Sequence, residues 1–444
     1  MRRALTLVVV VWGALCASPA AAQTSWIDGS AMQTRMRVGA DGQTYIGVWI
    51  DAPQRVVART RAPMAISLVI DTSGSMAGDK IANARMAAAS LIENAADGDI
   101  VSIYGFSNTV SELAPPTVVG AQSRAGLMQR VTQLYAAGGT NLYGGVQAGL
   151  ARMSQAPGTH PVKRVFLISD GHANIGPSDT GSLASLAAGG TEWGAQISAI
   201  GVGTSYDQRT LSAMVVRSSG RLYHLAQPQQ MAQILESEMS LLSRSVAVGA
   251  YIEVVPAPGV RILEGSTTGA TVVDGRLRLP VGAVYAGQHR EVLFRARVDT
   301  THPGSRPLAE ARLVYRSPED RRERVERTQL TYEVTADASL AARSRAPRVA
   351  AMVADHEATV SQRRAADLMR DGQGQQAAAE LERARRTLAT AAQQAPRDSA
   401  SGARLRQRAA RMEAAEHRAA TASPAAAPSV AYDFEDEAME AEGY

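Results

Sequence analysis

The 444-residue sequence contains a single cysteine, Cys16, and very few large aromatic residues, with four phenylalanines and four tryptophans. Cys16 lies in an N-terminal segment that we expect to be removed, so the mature chain would contain no cysteine. Such a chain can form no disulfide, use no thiol nucleophile and bind no zinc through cysteine. A lipoprotein signal is disfavoured too, because Leu15 stands before Cys16 where a small residue is required.

Long apolar runs are also missing after the N-terminus, and lysine occurs only at positions 80 and 163. Arg2-Arg3, the apolar residues 4–14 and Ala20-Ala21-Ala22 form the three parts of an export signal. We predict that residues 1–22 are a signal peptide, cleaved before Gln23. A membrane anchor is the alternative, but the apolar run is short for a membrane span. The mature protein is therefore expected in the periplasm or outside the cell, without a transmembrane segment.

The net charge is mild, +4 with an isoelectric point near 9.3, and the basic residues are spread along the chain. This distribution disfavours a nucleic-acid partner, which would need a basic patch or stripe. The length is sufficient for two or three domains with a sizeable core.

The hydrophobic pattern changes several times along the chain. In residues 23–62, the runs 34–38 and 44–50 flank a Gly-rich turn and predict a β-hairpin. In residues 63–244, strand-length apolar runs alternate with helical patterns, which predicts an α/β domain with a doubly wound, mostly parallel, Rossmann-like sheet.

Residues 245–336 alternate polar and apolar side chains between Pro and Gly turns, which is typical of a β-sandwich. Because that sandwich lacks strands, we predict that residues 23–62 complete it and that the α/β domain is inserted in it. Residues 337–422 form a helical region, with helices over 346–369, over 375–394 and from about Ser399. Residues 423–444 end in an acidic stretch and are predicted to be disordered.

The segment Asp71-Thr-Ser-Gly-Ser75 follows the buried strand predicted at 65–70 and precedes a helix that begins near Asp79. Ligands of open α/β sheets gather at this edge, beyond the carboxyl ends of the strands. One carboxylate and two hydroxyls at alternate positions can face a small hard cation. Taken alone, Ser73 and Ser75 could equally cap the helix.

Two later segments, Gly138-Gly-Thr-Asn141 and Ile168-Ser-Asp-Gly171, complete a recognisable set. Over about 63–244 the chain resembles the von Willebrand factor A family, whose metal-ion-dependent adhesion site combines Asp-x-Ser-x-Ser with a later Thr and a later Asp. The resemblance implies a complete set of metal ligands: Asp71, Ser73, Ser75, Thr140 and Asp170. The whole layout resembles bacterial exported proteins in which such a domain is followed by strands and helices.

Oxygen ligands favour Mg²⁺, with Mn²⁺ or Ca²⁺ as alternatives. The resemblance implies that an acidic side chain of a partner protein completes the metal shell, so we predict an adhesion or scaffold protein of the cell envelope and no enzymatic activity. His172 lies near Asp170, but a solvent-facing loop histidine is the more common situation than a general base. The alternatives are a metal-dependent adaptor of an ATPase or chelatase, and a structural module with a non-functional site.

Overall fold

The computed structural model describes residues 25–54, 61–203, 206–225, 227–396 and 399–443. The predicted signal peptide, residues 1–22, lies outside these ranges. Within them, no helix combines the length and the apolar character needed to cross a membrane.

The N-terminal strands are β1 (Ile27–Ala31), β2 (Arg35–Arg37) and β3 (Gln43–Asp51). The predicted hairpin between residues 34–38 and 44–50 is wrong, because β2 and β3 belong to different sheets. β3 pairs with β1 on one edge and with residues 289–297 on the other, while β2 pairs in parallel with residues 333–335. Since both edges of the nine-residue β3 are occupied, no edge is left for the three-residue β2.

The α/β domain follows, as predicted. Its strands are β4 (Met64–Asp71), β5 (Ile100–Phe106), β6 (Val110–Val118), β7 (Val162–Ser169), β8 (Ala195–Val202) and β9 (Arg221–Leu225). They form one sheet in the order β6-β5-β4-β7-β8-β9, in which only β6 is antiparallel. β4 and β8 are buried along their whole length, which explains their continuous apolar sequences. The sequence pattern missed β6, whose two prolines are tolerated because it is an edge strand.

The helices of this domain are α1 (Asp79–Asn94), α2 (Ala121–Val131), α3 (Leu142–Gln155), α4 (Thr180–Gly190), α5 (Gln208–Ser218) and α6 (Met231–Ser243). α1, α2 and α6 pack on one face of the sheet, and α3, α4 and α5 pack on the other. The sheet is therefore doubly wound. α4 was not predicted, since its sequence contains three glycines and only two large apolar side chains.

Seven further strands follow α6. They are β10 (Ser245–Pro256), β11 (Arg261–Gly265), β12 (Thr271–Val273), β13 (Arg276–Tyr285), β14 (His289–Arg297), β15 (Gly304–Arg316) and β16 (Glu323–Thr335). One sheet has the order β1-β3-β14-β11 and the other β12-β13-β10-β15-β16-β2. Both sheets thus contain N-terminal strands and enclose a common apolar core. The predicted fold class is confirmed, because the α/β domain is inserted between β3 and β10 of a β-sandwich.

The C-terminal helices are α7 (Ala338–Ala342), α8 (Pro347–Arg370), α9 (Gly374–Gln394), α10 (Ala400–Thr421) and α11 (Ala427–Glu442). The three predicted helices correspond to α8, α9 and α10. Ser399 caps α10, since its hydroxyl accepts a hydrogen bond from the Gly402 amide at 3.1 Å.

The prediction of a disordered tail over 423–444 is wrong, because most of it forms α11. Ala431, Phe434 and Ala438 recur at helical spacing and are fully buried. Arginines of the neighbouring helices balance the acidic charge: Arg363 binds Glu442 at 2.6 Å, Arg418 binds Glu437 at 2.5 Å and Arg411 binds Glu440 at 2.9 Å. The amino-acid composition shows how many carboxylates the segment has, but it does not show the arginines that lie beside them in the folded chain.

α11 also contacts the α/β domain. The Tyr432 hydroxyl donates to the Tyr206 carbonyl at 2.9 Å, and the Gln208 side-chain Nε2 donates to the Tyr432 carbonyl at 3.2 Å. The Tyr432 ring stacks on His224 with centroids 5.4 Å apart. The C-terminal helix therefore connects the helical region with the edge of the central sheet.

The stability of α11 should fall as the pH rises. Burial, together with the nearby carboxylates of Glu440, Asp433 and Glu437, raises the pKa of Asp436 to about 7 from its ordinary value of 3.8. The folded state therefore holds a proton that the unfolded chain loses, and folding becomes more costly between about pH 4 and pH 7. We expect Asp436→Asn to stabilise α11 relative to the wild type, by about 1–2 kcal/mol more at pH 8 than at pH 5.

Hydrogen exchange of the α11 amides, compared at the two pH values, measures this difference. Glu413→Gln, at an exposed position of α10, is the matched control and should not change the pH dependence. If Asp436→Asn stabilises α11 by the same amount at both pH values, the raised pKa of Asp436 is contradicted.

Candidate metal centre

Asp71 is the last residue of β4 and is fully buried. Its Oδ1 accepts a hydrogen bond from the Ser73 amide at 2.8 Å, and its Oδ2 accepts one from the Ser169 hydroxyl at 2.6 Å. These two donors hold the carboxylate in a single orientation. The chain then makes a short 3₁₀ turn at Gly74–Met76 before α1 begins, so Ser73 and Ser75 lie at the carboxyl edge of the sheet.

Asp170 follows β7, the immediate neighbour of β4 in the sheet, and therefore lies beside the Asp71 loop. The Ser75 hydroxyl donates to Asp170 Oδ1 at 2.8 Å, and the Ser73 and Ser75 hydroxyl oxygens are 3.0 Å apart. Ser73 and Asp170 are buried, whereas Ser75 is exposed. The cluster thus opens to solvent on the side of Ser75.

Thr140 reaches the same cluster from the loop before α3. Backbone hydrogen bonds join the two loops, from the Gly74 amide to the Gly138 carbonyl at 3.0 Å and from the Ala137 amide to the Thr72 carbonyl at 2.7 Å. A Cβ added to Gly171 would lie 3.5 Å from Thr140 Oγ1, 3.6 Å from Ser75 Oγ and 3.9 Å from Asp71 Oδ2. Glycine at this position, next to Asp170, leaves a space bordered by oxygens from the other two loops.

The structure therefore brings together all five residues singled out in the sequence. Their donor set consists of two carboxylates and three hydroxyls, which are hard oxygens of the kind that Mg²⁺ binds, so the residues fit such an ion. Among the described residues, no group of three or more His, Cys, Asp or Glu side chains is placed to hold a metal ion. The cluster around Gly171 contains only two such side chains, and its other three oxygens are hydroxyls.

Supporting residues were not predicted. Lys80, near the start of α1, forms an ion pair with Asp170 Oδ2. Asn108 Oδ1 accepts a hydrogen bond from the Gly139 amide at 2.6 Å, and Asn174 Oδ1 accepts one from the Thr140 amide at 2.8 Å. Both asparagines follow strands at the carboxyl edge, after β5 and β7, so their position in the chain was a usable signal.

His172 points away from this cluster, as expected of a solvent-facing loop residue. Its side chain is 69% exposed and its Nδ1 lies 3.8 Å from Asp207 Oδ2. Within the cluster, burial raises the pKa of Asp71, and the negative charge of Asp170 raises it further, although the hydrogen bonds from Ser169 and Ser73 act in the opposite direction. Two carboxylates in a buried setting favour a nearby positive charge.

Comparison with known proteins finds a family for the part of the chain that contains these loops. Residues 66–172 match the family model of the von Willebrand factor type A domain. The matched range contains all five residues of the cluster. The central part of the chain is therefore similar to the von Willebrand factor type A domain family.

Solved structures extend the likeness to the whole fold. A von Willebrand factor type A protein from Catenulispora acidiphila has a TM-score of 0.74 at 17% identity, over 94% of this chain and 96% of that one. The ArnB paralog VWA2 from Sulfolobus acidocaldarius has a TM-score of 0.61 at 16% identity, over 94% and 98%. At these identities the likeness shows the fold, including the von Willebrand factor type A arrangement, the sandwich and the helices.

Three curated relatives match by sequence. An uncharacterised protein from Synechocystis sp. is 22% identical over 58% of this chain and 63% of its own length. The uncharacterised protein YfbK from Escherichia coli is 27% identical over 43% and 33%, and inter-alpha-trypsin inhibitor heavy chain H1 from Mesocricetus auratus is 25% identical over 38% and 19%. The chain spans less than two thirds of the length of each relative.

Proposed function

We propose that this chain is an exported protein that binds partner proteins through a divalent cation held by Asp71, Ser73, Ser75, Thr140 and Asp170. The observation that carries the proposal is the convergence of three loops: oxygens of Asp71, Ser75 and Thr140 surround Gly171, and Ser75 is hydrogen-bonded to Asp170. Mg²⁺ is the proposed ion, with Mn²⁺ and Ca²⁺ as alternatives, because the donors are few and are all hard oxygens.

A bound Mg²⁺ would supply an electrophilic centre for an acidic side chain of the partner. The residues of this chain hold and orient the oxygens around it. Ser169 and the Ser73 amide fix Asp71, while Ser75 and Lys80 hold Asp170. Only two carboxylates would face the divalent charge, so a third carboxylate, from the partner, is electrostatically favoured. Binding rather than catalysis is part of the proposal.

The proposed location is the periplasm or the exterior, in an envelope-associated complex, and it rests on the N-terminal signal described above. Two alternative functions can be distinguished from this one by experiment. An adaptor of an ATPase or chelatase would be found in the cytoplasmic fraction with its partner. A structural module with a non-functional site would bind no cation at Asp71.

Two measurements test the proposal. Isothermal titration of the purified chain with Mg²⁺ or Mn²⁺ should show one site. A pull-down from envelope extracts should capture a partner protein in the presence of Mg²⁺, and the addition of EDTA should abolish that capture. The proposal fails if the titration shows no binding, or if the captured protein is the same in Mg²⁺ and in EDTA.

Lys80 gives a more specific prediction. Its ammonium group pairs with Asp170 and so competes with a cation for that carboxylate. We expect Lys80→Met to bind Mg²⁺ about tenfold more tightly than the wild type, a gain of about 1.4 kcal/mol. Lys80→Arg retains the charge and should leave the affinity nearly unchanged in the same titration. Weaker binding by Lys80→Met would show instead that the lysine positions Asp170 for the ion.

A further inference from the structure

A cavity of about 580 Å³, called the junction cavity here, lies between the α/β domain and the sandwich. Its walls come from residues 188–196, which run from the end of α4 into β8, from residues 216–219 at the end of α5, and from β10 and β13. The volume is in the range of small-molecule sites, which often form between domains. Ala195, the first residue of β8, lines the cavity, so the cavity lies at the opposite edge of the sheet from Asp71.

The charged residues of this cavity are mostly cationic. Arg217 and Arg278 line it, against one carboxylate, Glu192. Both arginines are exposed at the mouth of the cavity, and within the part of the chain that the structure describes neither guanidinium group forms an ion pair or a side-chain hydrogen bond. Two guanidinium groups against one carboxylate give the cavity an excess of positive charge, which favours an anionic ligand.

Arg278 is also oriented for such a ligand. Its guanidinium lies over the Tyr251 ring, 4.1 Å from the centroid. Stacking uses the face of the guanidinium and leaves the N–H donors at its edge for hydrogen bonds. A carboxylate or phosphate group accepts two of these donors in parallel, a geometry that lysine cannot offer.

Ser219 adds a polar group without a partner. The residue is 8% exposed, and its hydroxyl oxygen is buried without a hydrogen bond to any described residue. The position of Ser219 is fixed, because the Gln196 side chain donates to the Ser219 carbonyl and accepts from the Ala283 amide at 3.1 Å. The oxygen has almost no accessible surface, so the Ser219 hydroxyl is part of the cavity wall and does not itself contact a ligand.

A second cavity of about 500 Å³ shares Tyr251 and Arg278 with the first. It adds Lys163, Arg316 and Arg321, against the single carboxylate of Glu323 beyond the shared Glu192. Burial and the adjacent charge of Arg316 lower the pKa of Lys163, which reflects the crowding of cations at this place. The positive wall therefore continues from one cavity into the next.

We propose that the junction cavity binds a small molecule with at least two carboxylate or phosphate groups. One anionic group binds Arg217 and Arg278, and another extends toward Lys163 and Arg316. Because both domains contribute walls, the bound molecule holds the α/β domain against the sandwich. This site is separate from the proposed cation site and does not depend on it.

Calorimetric titration of the full chain tests the proposal. Divalent ions are first removed on a chelating resin, because citrate would otherwise bind Mg²⁺. The probes are citrate and a hexose bisphosphate, with acetate and glycerol as monoanionic and neutral controls, all at about 0.1 M ionic strength. We expect a Kd below about 1 mM for citrate or for the bisphosphate, and at least tenfold weaker binding of acetate. Which of the two binds identifies carboxylate or phosphate as the ligand group. Failure of both to bind overturns the proposal.

Two variants locate the binding. Arg278→Gln should weaken binding at least tenfold, whereas Arg276→Gln, two residues earlier on the same strand and outside the cavity, should not. Gly189→Phe should block the cavity, since Gly189 lines it and an added Cβ meets no atom within 4 Å. Gly126→Phe on α2, where a Cβ also meets nothing, is its control. Equal losses in Arg276→Gln and Arg278→Gln, or unchanged binding by a folded Gly189→Phe, would overturn the site.

Discussion

Asp71→Ala should abolish Mg²⁺ binding by the α/β domain and, with it, every partner interaction that requires Mg²⁺. The substitution removes one of the two carboxylates in the cluster around Gly171, and divalent cations of this class depend on anionic oxygen ligands. We expect the affinity for Mg²⁺ to fall at least 100-fold, about 2.7 kcal/mol. Isothermal titration with Mg²⁺ and with Mn²⁺ measures the loss.

The same substitution also leaves two donors without an acceptor, the Ser73 amide and the Ser169 hydroxyl. Asp71→Asn is therefore the companion variant, since it keeps an oxygen for one donor and removes only the charge. Ser169→Ala is the matched control, because it removes a hydrogen bond to Asp71 and no proposed ligand. We expect it to weaken Mg²⁺ binding by about tenfold, which is less than the loss in Asp71→Ala. If Asp71→Ala and Asp71→Asn still capture the envelope partner as the wild type does, the cation does not mediate binding.

Glu238→Ala should destabilise the α/β domain by about 3–5 kcal/mol. Glu238 is fully buried on α6, where it accepts hydrogen bonds from Ser198 at 2.8 Å and from the Tyr223 hydroxyl. Two guanidinium groups lie near its carboxylate, that of Arg164 at 3.6 Å and that of Arg221 at 3.7 Å. Removing the carboxylate leaves buried positive charge uncompensated, which costs far more than the loss of a surface ion pair.

The cluster also reaches the sandwich, because Arg164 donates a hydrogen bond to the Tyr285 hydroxyl on β13 at 3.1 Å. Denaturant unfolding followed by circular dichroism measures the effect of Glu238→Ala. The double variant Arg164→Met with Glu238→Leu replaces a charge pair by apolar side chains, and it should recover part of the lost stability. A surface substitution such as Glu236→Gln on the same helix should change stability by less than about 0.5 kcal/mol. A Glu238→Ala loss below about 1 kcal/mol would show that solvent reaches the cluster.

Much of the candidate site followed from local patterns. The continuous apolar sequences before Asp71 and Asp170 predicted buried parallel strands, and the carboxyl ends of such strands share one edge of a sheet. Topology alone therefore predicted that Asp71 and Asp170 lie close together. The apolar spacing was similarly sufficient to predict α8, α9 and α10, because in a long amphipathic helix the spacing of the apolar residues indicates the buried face.

Where a segment depends on distant partners, the local pattern was insufficient. β2 reads as one arm of a hairpin with β3, yet it pairs with β16, some 300 residues later in the chain. α11 reads as an acidic tail, yet arginines of α8 and α10 neutralise it and a buried Phe434 anchors it. Pairing energies of this kind arise only between segments that folding brings together.

The sequence by itself determined the alternation of strands and helices, the insertion of the α/β domain in a sandwich, and the identity of the five oxygen-bearing residues of the candidate cation site. Each of these depends on the order and spacing of residues within short segments. Only the tertiary structure decided which residues support that site, such as Lys80 on Asp170, and that Arg217, Arg278 and Ser219 line one cavity. The physical reason is that hydrogen bonds, ion pairs and cavities depend on distances of a few ångströms between segments far apart in the chain, which no local pattern contains.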